Sequence, residues 1–383
     1  MRILHYYTAS DKMSKDYIDI LSGAMTPLNY LSGDNSIENV SASSLHDALK
    51  LIKNSHVDIL HFHGCWRDSD LILERKAKQN NVRIVVSPHG QLEPWIIKQD
   101  YWKNHLPRII AYQKKIVRDA FSIVVMGKME ETCMKRLDWN PRIEVVKNSM
   151  ITDTITEKEM AIKMLNIYNK VMDSQTFALL NDEERIAFAA LIKAGVTREE
   201  KWLTDDEKAS ISSLSPLAWR RIKIYAYHTS IADTILDAED TIGYNHTDIK
   251  PDAIPCYLPK ADKPKGLFSK DVKPLPAVIA DDKGYHTDSL CKFINVLQKH
   301  AANGQLVLKD IVETAYQMRR VLVDETALVE EMKLKGLDKF VMSLMQIMSD
   351  YTCMEEGFMF TPPKDNARTR KLASMIDNEL QII

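Results

Sequence analysis

The first 150 residues alternate short apolar runs with longer segments of helical periodicity. The apolar runs are rich in β-branched residues and lack the strict alternation of a half-exposed sheet, as expected of strands buried on both faces. They lie at residues 2–7, 58–63, 83–87, 122–126 and 143–146. Helical patterns separate them, at 14–21, 44–53, 68–80, 104–119 and 128–137. This alternation predicts a doubly wound parallel α/β domain.

The pattern changes after Asn148, where strand signals fade and helical periodicity takes over. Six of the 14 prolines lie between Pro251 and Pro276, a density that excludes regular helix and favours an extended segment. Helical periodicity returns after this segment, and a last helix is predicted near 366–381. We therefore predict an α/β domain at 1–150, a helical region at 151–239, a proline-rich linker or wrapping arm at 240–288 and a second helical region at 289–383.

Composition and charge are those of an ordinary globular protein, with 45% hydrophobic and 27% charged residues. The net charge is −2, shared as +4 over residues 1–150 and −6 over the rest. Such a balance lacks the basic stripe and high pI expected of a nucleic-acid-binding protein. No apolar run is long enough for a transmembrane helix, no signal peptide is evident, and the five cysteines are scattered singly. We expect a cytoplasmic protein with no nucleic-acid partner.

Two clusters of histidine, glycine and tryptophan follow predicted strands. One strand leads into HGCW at 63–66, and the next leads into PHGQLEPW at 88–95. Open parallel sheets bind ligands at the carboxyl ends of their strands. Glycine allows a sharp turn there, and an imidazole titrates near neutral pH. The flat apolar face of a tryptophan suits a sugar ring, so the combination predicts a polyol-binding site.

The segments HFHGCW at 61–66 and SPHGQLEPW at 87–95 resemble the N-terminal domain of family 4 glycosyltransferases. Bacterial polysaccharide members of that family commonly read H-x-H-G-x-W and S-P-H-G-x-L-x-P-W. The resemblance covers about 60–150 and extends over 1–60 by topology alone. It implies a Rossmann-like doubly wound parallel sheet of the GT-B N-terminal type, the acceptor side of such an enzyme, followed here by a mainly α-helical region.

The resemblance also implies roles for single residues. His89 would be the catalytic residue, positioning or polarising the acceptor hydroxyl. The implied substrate-binding residues are His63, Gly64, Trp66, Gly90, Glu93 and Trp95. The implied activity transfers a sugar from a nucleotide-sugar donor to a glycan or lipid-linked acceptor in bacterial surface polysaccharide synthesis. A lipid-linked acceptor would bring peripheral contact with a membrane.

Several of these residues have a second, purely structural interpretation. His61 is expected to be a hydrogen-bonded core histidine. For His63 the sequence favours neither a core role nor a site role. For Trp66 and Trp95 the sequence favours neither sugar binding nor domain packing. His61, His63, Cys65 and His89 are all zinc-ligating types, but their spacing indicates no carboxylate or further ligand. We therefore predict no metal and no cofactor other than the nucleotide-sugar donor.

The chain departs from the family pattern in two places. Residues 7–13, after the first strand, contain no glycine where the family usually has a glycine-rich loop. Residues 151–383 show neither a series of parallel strands nor the E-x7-E pattern of a donor-binding domain. Two hypotheses follow. The protein is a glycosyltransferase with an unorthodox C-terminal half, or it is a catalytically inactive relative that serves as a binding or scaffold protein, with a protein partner on its helical half.

Overall fold

The computed structural model describes residues 1–28, 36–243, 249–257 and 274–380. The chain forms two compact units, which we number in chain order. Unit 1 comprises Met1–Gln175 and Ile254–Pro259, and unit 2 comprises Thr176–Ala253 and Lys260–Ile383. Much of the predicted proline-rich arm, at 244–248 and 258–273, lies outside the described residues.

Unit 1 is built on a six-stranded sheet in which all neighbouring strands are parallel, in the order β2-β1-β3-β4-β5-β6. The strands are β1 (Arg2–Tyr6), β2 (Glu38–Ala42), β3 (Ile59–His63), β4 (Arg83–Ser87), β5 (Ser122–Val125) and β6 (Ile143–Val145). The chain moves outward from β1 to β2 and then returns to β3 on the other side of β1. The strand order therefore reverses between β1 and β3, and such a switch point is where open parallel sheets bind ligands.

The predicted parallel α/β sheet is confirmed, but one of its strands had no counterpart in the sequence pattern. Strand β2 has the sequence ENVSA, in which Glu38 and Ser41 are exposed. Glutamate, asparagine and serine have low β propensity. A polar strand is tolerated here because β2 lies at the edge of the sheet, where charge discourages pairing with other chains. Hydrophobic periodicity could not have revealed it.

Helices connect the strands of unit 1. They are α1 (Lys12–Met25), α2 (Leu45–Asn54), α3 (Asp68–Gln79), α4 (Pro94–Lys98), α5 (Leu106–Arg108), α6 (Lys114–Asp119), α7 (Lys128–Leu137) and α8 (Glu157–Met172). The helix predicted at 104–119 is interrupted by π-helical turns at Tyr101–His105 and Ile109–Gln113. Pro107 lies between these turns and lacks a backbone N–H, so it cannot make a regular helical hydrogen bond. Helix α8 packs against α1 and belongs to unit 1, beyond the boundary expected at residue 150.

The described residues of unit 2, 176–243, 249–253 and 274–380, form helices joined by loops and contain no strand. Its α-helices are α9 (Asp182–Thr197), α10 (Asp205–Ser212), α11 (Pro216–His228), α12 (Ala232–Ile242), α13 (Thr287–Ala302), α14 (Leu308–Arg320), α15 (Glu325–Leu334), α16 (Asp338–Thr352) and α17 (Ala367–Leu380). Short 3-10 turns lie at Thr176–Leu179, Glu200–Trp202, Pro251–Ala253 and Glu356–Phe358. The predicted helical character of the C-terminal half is confirmed.

The core of unit 2 depends on a close approach between α9 and α12. Gly195 on α9 faces the backbone of α12, and a β-carbon at this position would lie 1.9 Å from the carbonyl oxygen of Thr234. No side chain fits at that distance without moving one of the two helices. Gly23 on α1 is the opposite case, because a β-carbon there would meet no atom within 4 Å.

Exchanging these two glycines for alanine tests the packing. We expect Gly195→Ala to lower the free energy of unfolding by about 1–3 kcal/mol, because overpacking forces the helices apart. Gly23→Ala should raise it by roughly 0.5–1 kcal/mol, since alanine is the better helix former. Urea denaturation followed by circular dichroism measures both changes. A Gly195→Ala variant as stable as the unmodified protein would contradict the close packing.

Candidate functional site

Four histidines meet at the carboxyl ends of β1, β3 and β4. His5 lies on β1, His61 and His63 lie on β3, and His89 lies in the loop after β4. The strand register pairs His5 with His61 and pairs His63 with Ser87. These are the strands at and beside the switch point of the sheet, where a ligand site is expected.

Hydrogen bonds join three of the histidines into a chain that crosses the sheet. His63 Nδ1 lies 3.1 Å from His89 Nε2, and His63 Nε2 lies 2.9 Å from His5 Nδ1. His5 Nε2 lies 3.1 Å from Asn39 Oδ1 on the edge strand β2. The chain thus runs from the loop after β4, through β3 and β1, to the edge of the sheet.

His61 lies beside this chain but has partners of its own. Its Nδ1 is 2.7 Å from the Tyr168 hydroxyl on α8, and its Nε2 is 2.8 Å from Ser87 Oγ. The ring is fully buried and its centroid is 4.1 Å from that of His63. His61 is therefore the hydrogen-bonded core histidine expected from the sequence.

Burial keeps all four imidazoles uncharged at neutral pH. Removal from water lowers the pKa of His5 and of His89 from 6.5 to about 4, and it lowers those of His61 and His63 well below 6.5. The neighbouring histidines lower the pKa of His61 and His63 further. The Asp11 carboxylate opposes the effect at His89 by raising its pKa. Each ring therefore carries one N–H donor and one lone pair.

The spacing of the histidines also bears on metal binding. One ring nitrogen from each of His5, His61 and His63 lies within 4.8 Å of the others, and neutral imidazoles at such spacing can ligate zinc. Both ring nitrogens of each of these histidines are, however, engaged in hydrogen bonds with protein atoms. The geometry is therefore that of a hydrogen-bonded network.

The loops after β3 and β4 hold their backbones in the left-handed region. Gly64 has φ +88° and Gly90 has φ +77°, while Trp66 and His89 have φ 73° and 51°. Glycine adopts this conformation readily, whereas other residues do so at a cost that is usually met at functional sites. A β-carbon on Gly64 would also lie 3.0 Å from the Gln91 side chain. Both loops therefore orient a candidate site residue through an uncommon backbone conformation.

Hydrogen bonds tie these two loops together. The Cys65 N–H donates to Gln91 Oε1 at 2.7 Å, and the Trp66 indole N–H donates to the Gln91 carbonyl at 3.0 Å. The Trp66 backbone N–H donates to Gln113 Oε1 at 2.8 Å. Trp66 is held at both its backbone and its ring, so several contacts set its position in the loop after β3.

Glu130 holds the loop after β4 through hydrogen bonds with backbone N–H groups. This buried residue on α7 accepts hydrogen bonds from the Gly90 N–H at 2.7 Å and from the Met126 N–H at 2.9 Å. Burial raises its pKa. Glu130 was not among the predicted site residues, although a carboxylate in the first turn of a helix after a predicted strand is a recognisable signal.

Glu93 and Trp95 form a pair at the start of α4. Glu93 is buried and accepts a hydrogen bond at 3.1 Å from the indole N–H of Trp95, whose side chain is exposed. The expected site residues thus fall into two groups. One group has His63 at the end of β3 and Gly64, Trp66, His89 and Gly90 in the linked loops after β3 and β4, and the other group is this pair.

Further residues that the sequence analysis missed complete the surroundings of His89. The Tyr17 ring on α1 lies 5.7 Å from that of His89 and 5.8 Å from that of His63. Asp11 caps α1 by accepting a hydrogen bond from the Ser14 N–H. The one local signal for His5 is that a histidine stands inside the apolar run of β1. Nothing in the local sequence indicates that Asp11 and Tyr17 approach the site.

The neutral histidines predict a loss of stability in acid. In the unfolded chain they bind protons below about pH 6.5, whereas in the folded protein His5 and His89 bind them only near pH 4. The free energy of unfolding should therefore be unaffected above pH 6.5 and fall between pH 6.5 and 4, by up to about 1.4 kcal/mol per pH unit for each histidine. Urea denaturation at a series of pH values measures this slope.

Variants separate the contribution of the histidines to this pH dependence of stability from the contribution of the carboxylates. His5→Gln should flatten the slope, because one buried proton-binding group has been removed. His56→Gln serves as the control, since the His56 side chain is 90% exposed. Equal slopes for His5→Gln and the unmodified protein would contradict the assignment.

Two findings concern the chain as a whole. No helix in the described part of the chain is both long and apolar enough to span a membrane. Comparison of the chain with protein-family models, with curated proteins and with solved structures finds no match.

Proposed function

We propose that unit 1 binds the acceptor of a sugar transfer and that His89 acts there as the general base. One observation carries the proposal: His89 is hydrogen-bonded through Nε2 to His63 at the carboxyl end of the sheet, where burial lowers its pKa to about 4. A general base must be unprotonated before it accepts a proton. The nearby Asp11 carboxylate stabilises the imidazolium that forms.

The proposed reaction is a glycosyl transfer of the GT-B type. The acceptor hydroxyl oxygen bonds to the anomeric carbon of the donor sugar, the bond from that carbon to the nucleotide diphosphate breaks, and His89 takes the hydroxyl proton. The resemblance of the loops after β3 and β4 to family 4 glycosyltransferases supports this assignment, as do the tryptophans at 66 and 95. The acceptor class is a glycan or a lipid-linked glycan of bacterial surface polysaccharide synthesis, and the donor is a nucleotide-sugar.

A second candidate function is favoured by the helical character of unit 2. A GT-B enzyme holds its nucleotide-sugar on a second parallel sheet, and residues 176–243, 249–253 and 274–380 contain no strand. In this alternative the protein is a catalytically inactive relative that binds a glycan through unit 1. The helical unit would then engage a protein partner, and the whole would act as a binding or scaffold protein.

Transfer assays with labelled UDP- and GDP-sugars and a polysaccharide acceptor distinguish the two functions. For the enzyme we expect His89→Ala to lower turnover by about 10²–10⁴-fold, the usual contribution of a general base. His56→Ala should leave turnover unchanged. Unaltered turnover in His89→Ala would remove this residue from the mechanism. Glycan binding without stabilisation by any nucleotide-sugar would support the inactive relative.

We also propose that the segment from Trp95 to Ile110 contacts the membrane that carries a lipid-linked acceptor. Trp102 and Ile110 are 79% and 76% exposed, and the side chains of Lys98 and Lys103 in the same segment are exposed as well. Aromatic and apolar side chains interleaved with lysine are typical of segments that lie at a membrane interface.

Sedimentation with lipid vesicles tests this contact. We expect binding to vesicles that contain anionic lipid, with weakening as salt concentration rises. Trp102→Ser should reduce the bound fraction severalfold. Leu334→Ser is the matched control, because Leu334 is 88% exposed but lies in unit 2. Equal losses in both variants would contradict a specific contact.

A further inference from the structure

We propose that Asn39, on the edge strand of the sheet, selects the tautomer of His89 through His5 and His63. The selection places the His89 proton on Nε2 and leaves the lone pair on Nδ1. Asn39, His5 and His63 are therefore positioning residues. The use of this lone pair in catalysis rests on the proposed function, whereas the tautomer itself does not.

The number of protons along the hydrogen-bond chain restricts which tautomers the three histidines can adopt together. Each neutral imidazole carries one N–H, and each of the hydrogen bonds His5–His63 and His63–His89 contains one proton. A ring that accepts at one nitrogen must therefore donate at the other. Only two arrangements satisfy every bond, one with all protons on Nε2 and one with all protons on Nδ1.

The side-chain amide of Asn39, at the end of the hydrogen-bond chain, decides between these two arrangements. Asn39 Oδ1 faces His5 Nε2 at 3.1 Å, and an amide oxygen can only accept, so the proton lies on His5 Nε2. His5 Nδ1 must then accept from His63 Nε2, and His63 Nδ1 must accept from His89 Nε2. The lone pair of His89 is thereby fixed on Nδ1.

The Asn39 side chain makes one hydrogen bond in the described part of the chain, the contact of its Oδ1 with His5 Nε2. Its Nδ2 group is buried and has no hydrogen-bond partner in the described part of the chain. A half-turn of the amide would offer His5 a donor and reverse every proton, placing N–H on His89 Nδ1 and removing the lone pair from that atom.

Nuclear magnetic resonance of the full chain, labelled with ¹⁵N at histidine, reads the tautomer directly. Protonated and bare ring nitrogens have distinct shifts, and the His89 signals are identified by their loss in His89→Gln. At about pH 8, where the histidines are neutral, we expect a protonated Nε2 and a bare Nδ1 at His89. A protonated Nδ1 in the unmodified protein overturns the proposal.

Substitutions at Asn39 test the selection. Asn39→Asp keeps an acceptor and should preserve the His89 tautomer. Asn39→Leu leaves the His5 N–H without an acceptor, which disfavours that arrangement and should shift the His89 tautomer ratio towards Nδ1–H by about tenfold or more. His5→Phe breaks the chain one step further on and should give the same shift, so the test survives if Asn39→Leu fails to fold.

Two controls make the result specific. Tyr168→Phe removes a partner of His61, which lies outside the chain, and should leave the His89 signals unchanged. Zinc added to the unmodified protein should leave the His5 and His63 signals in place. An unchanged tautomer in folded Asn39→Leu, or loss of these signals on adding zinc, overturns the proposal. Absence of sugar transfer would count against the proposed function but not against the tautomer.

Discussion

The removal of four imidazoles from water at one end of a parallel sheet, three of them buried and His89 partly buried, is the constraint on which the site depends. Removal from water keeps the rings uncharged, and an uncharged imidazole is at once one donor and one acceptor. The rings of His5, His63 and His89 then have to pair in order along the sheet. A single amide at the edge strand is enough to set the direction of every proton in such a chain, and the ring at its far end lies where parallel sheets bind ligands.

The backbone around His89 is held as firmly as its ring. The loops after β3 and β4 adopt left-handed conformations at Gly64, Trp66, His89 and Gly90, and they are joined to each other through Gln91. Glu130 adds a buried carboxylate that accepts from the backbone of Gly90. These contacts offset the cost of the strained conformations and orient the ring before any ligand arrives, which is the general requirement for efficient catalysis or selective binding.

Unit 2 has a different physical character. Its described residues form a helical core in which Gly195 allows two helices to approach at backbone distance. A helical unit offers no strand ends and therefore no ligand-binding edge of the kind unit 1 has. The proposed chemistry of the protein therefore lies in unit 1.

Local sequence was sufficient for the parallel α/β class, for the helical C-terminal half and for the placement of His63 and His89 at strand ends. These features depend on burial and β propensity, which leave a pattern over a few neighbouring residues. The polar edge strand β2 left no such pattern. The contacts of His63 with His5, of His5 with Asn39 and of His61 with Tyr168 join residues 34 to 107 positions apart. Only the strand order and the packing of α8 in unit 1 bring them together, because hydrogen bonds between distant residues depend on where the chain returns and not on what surrounds each residue in sequence.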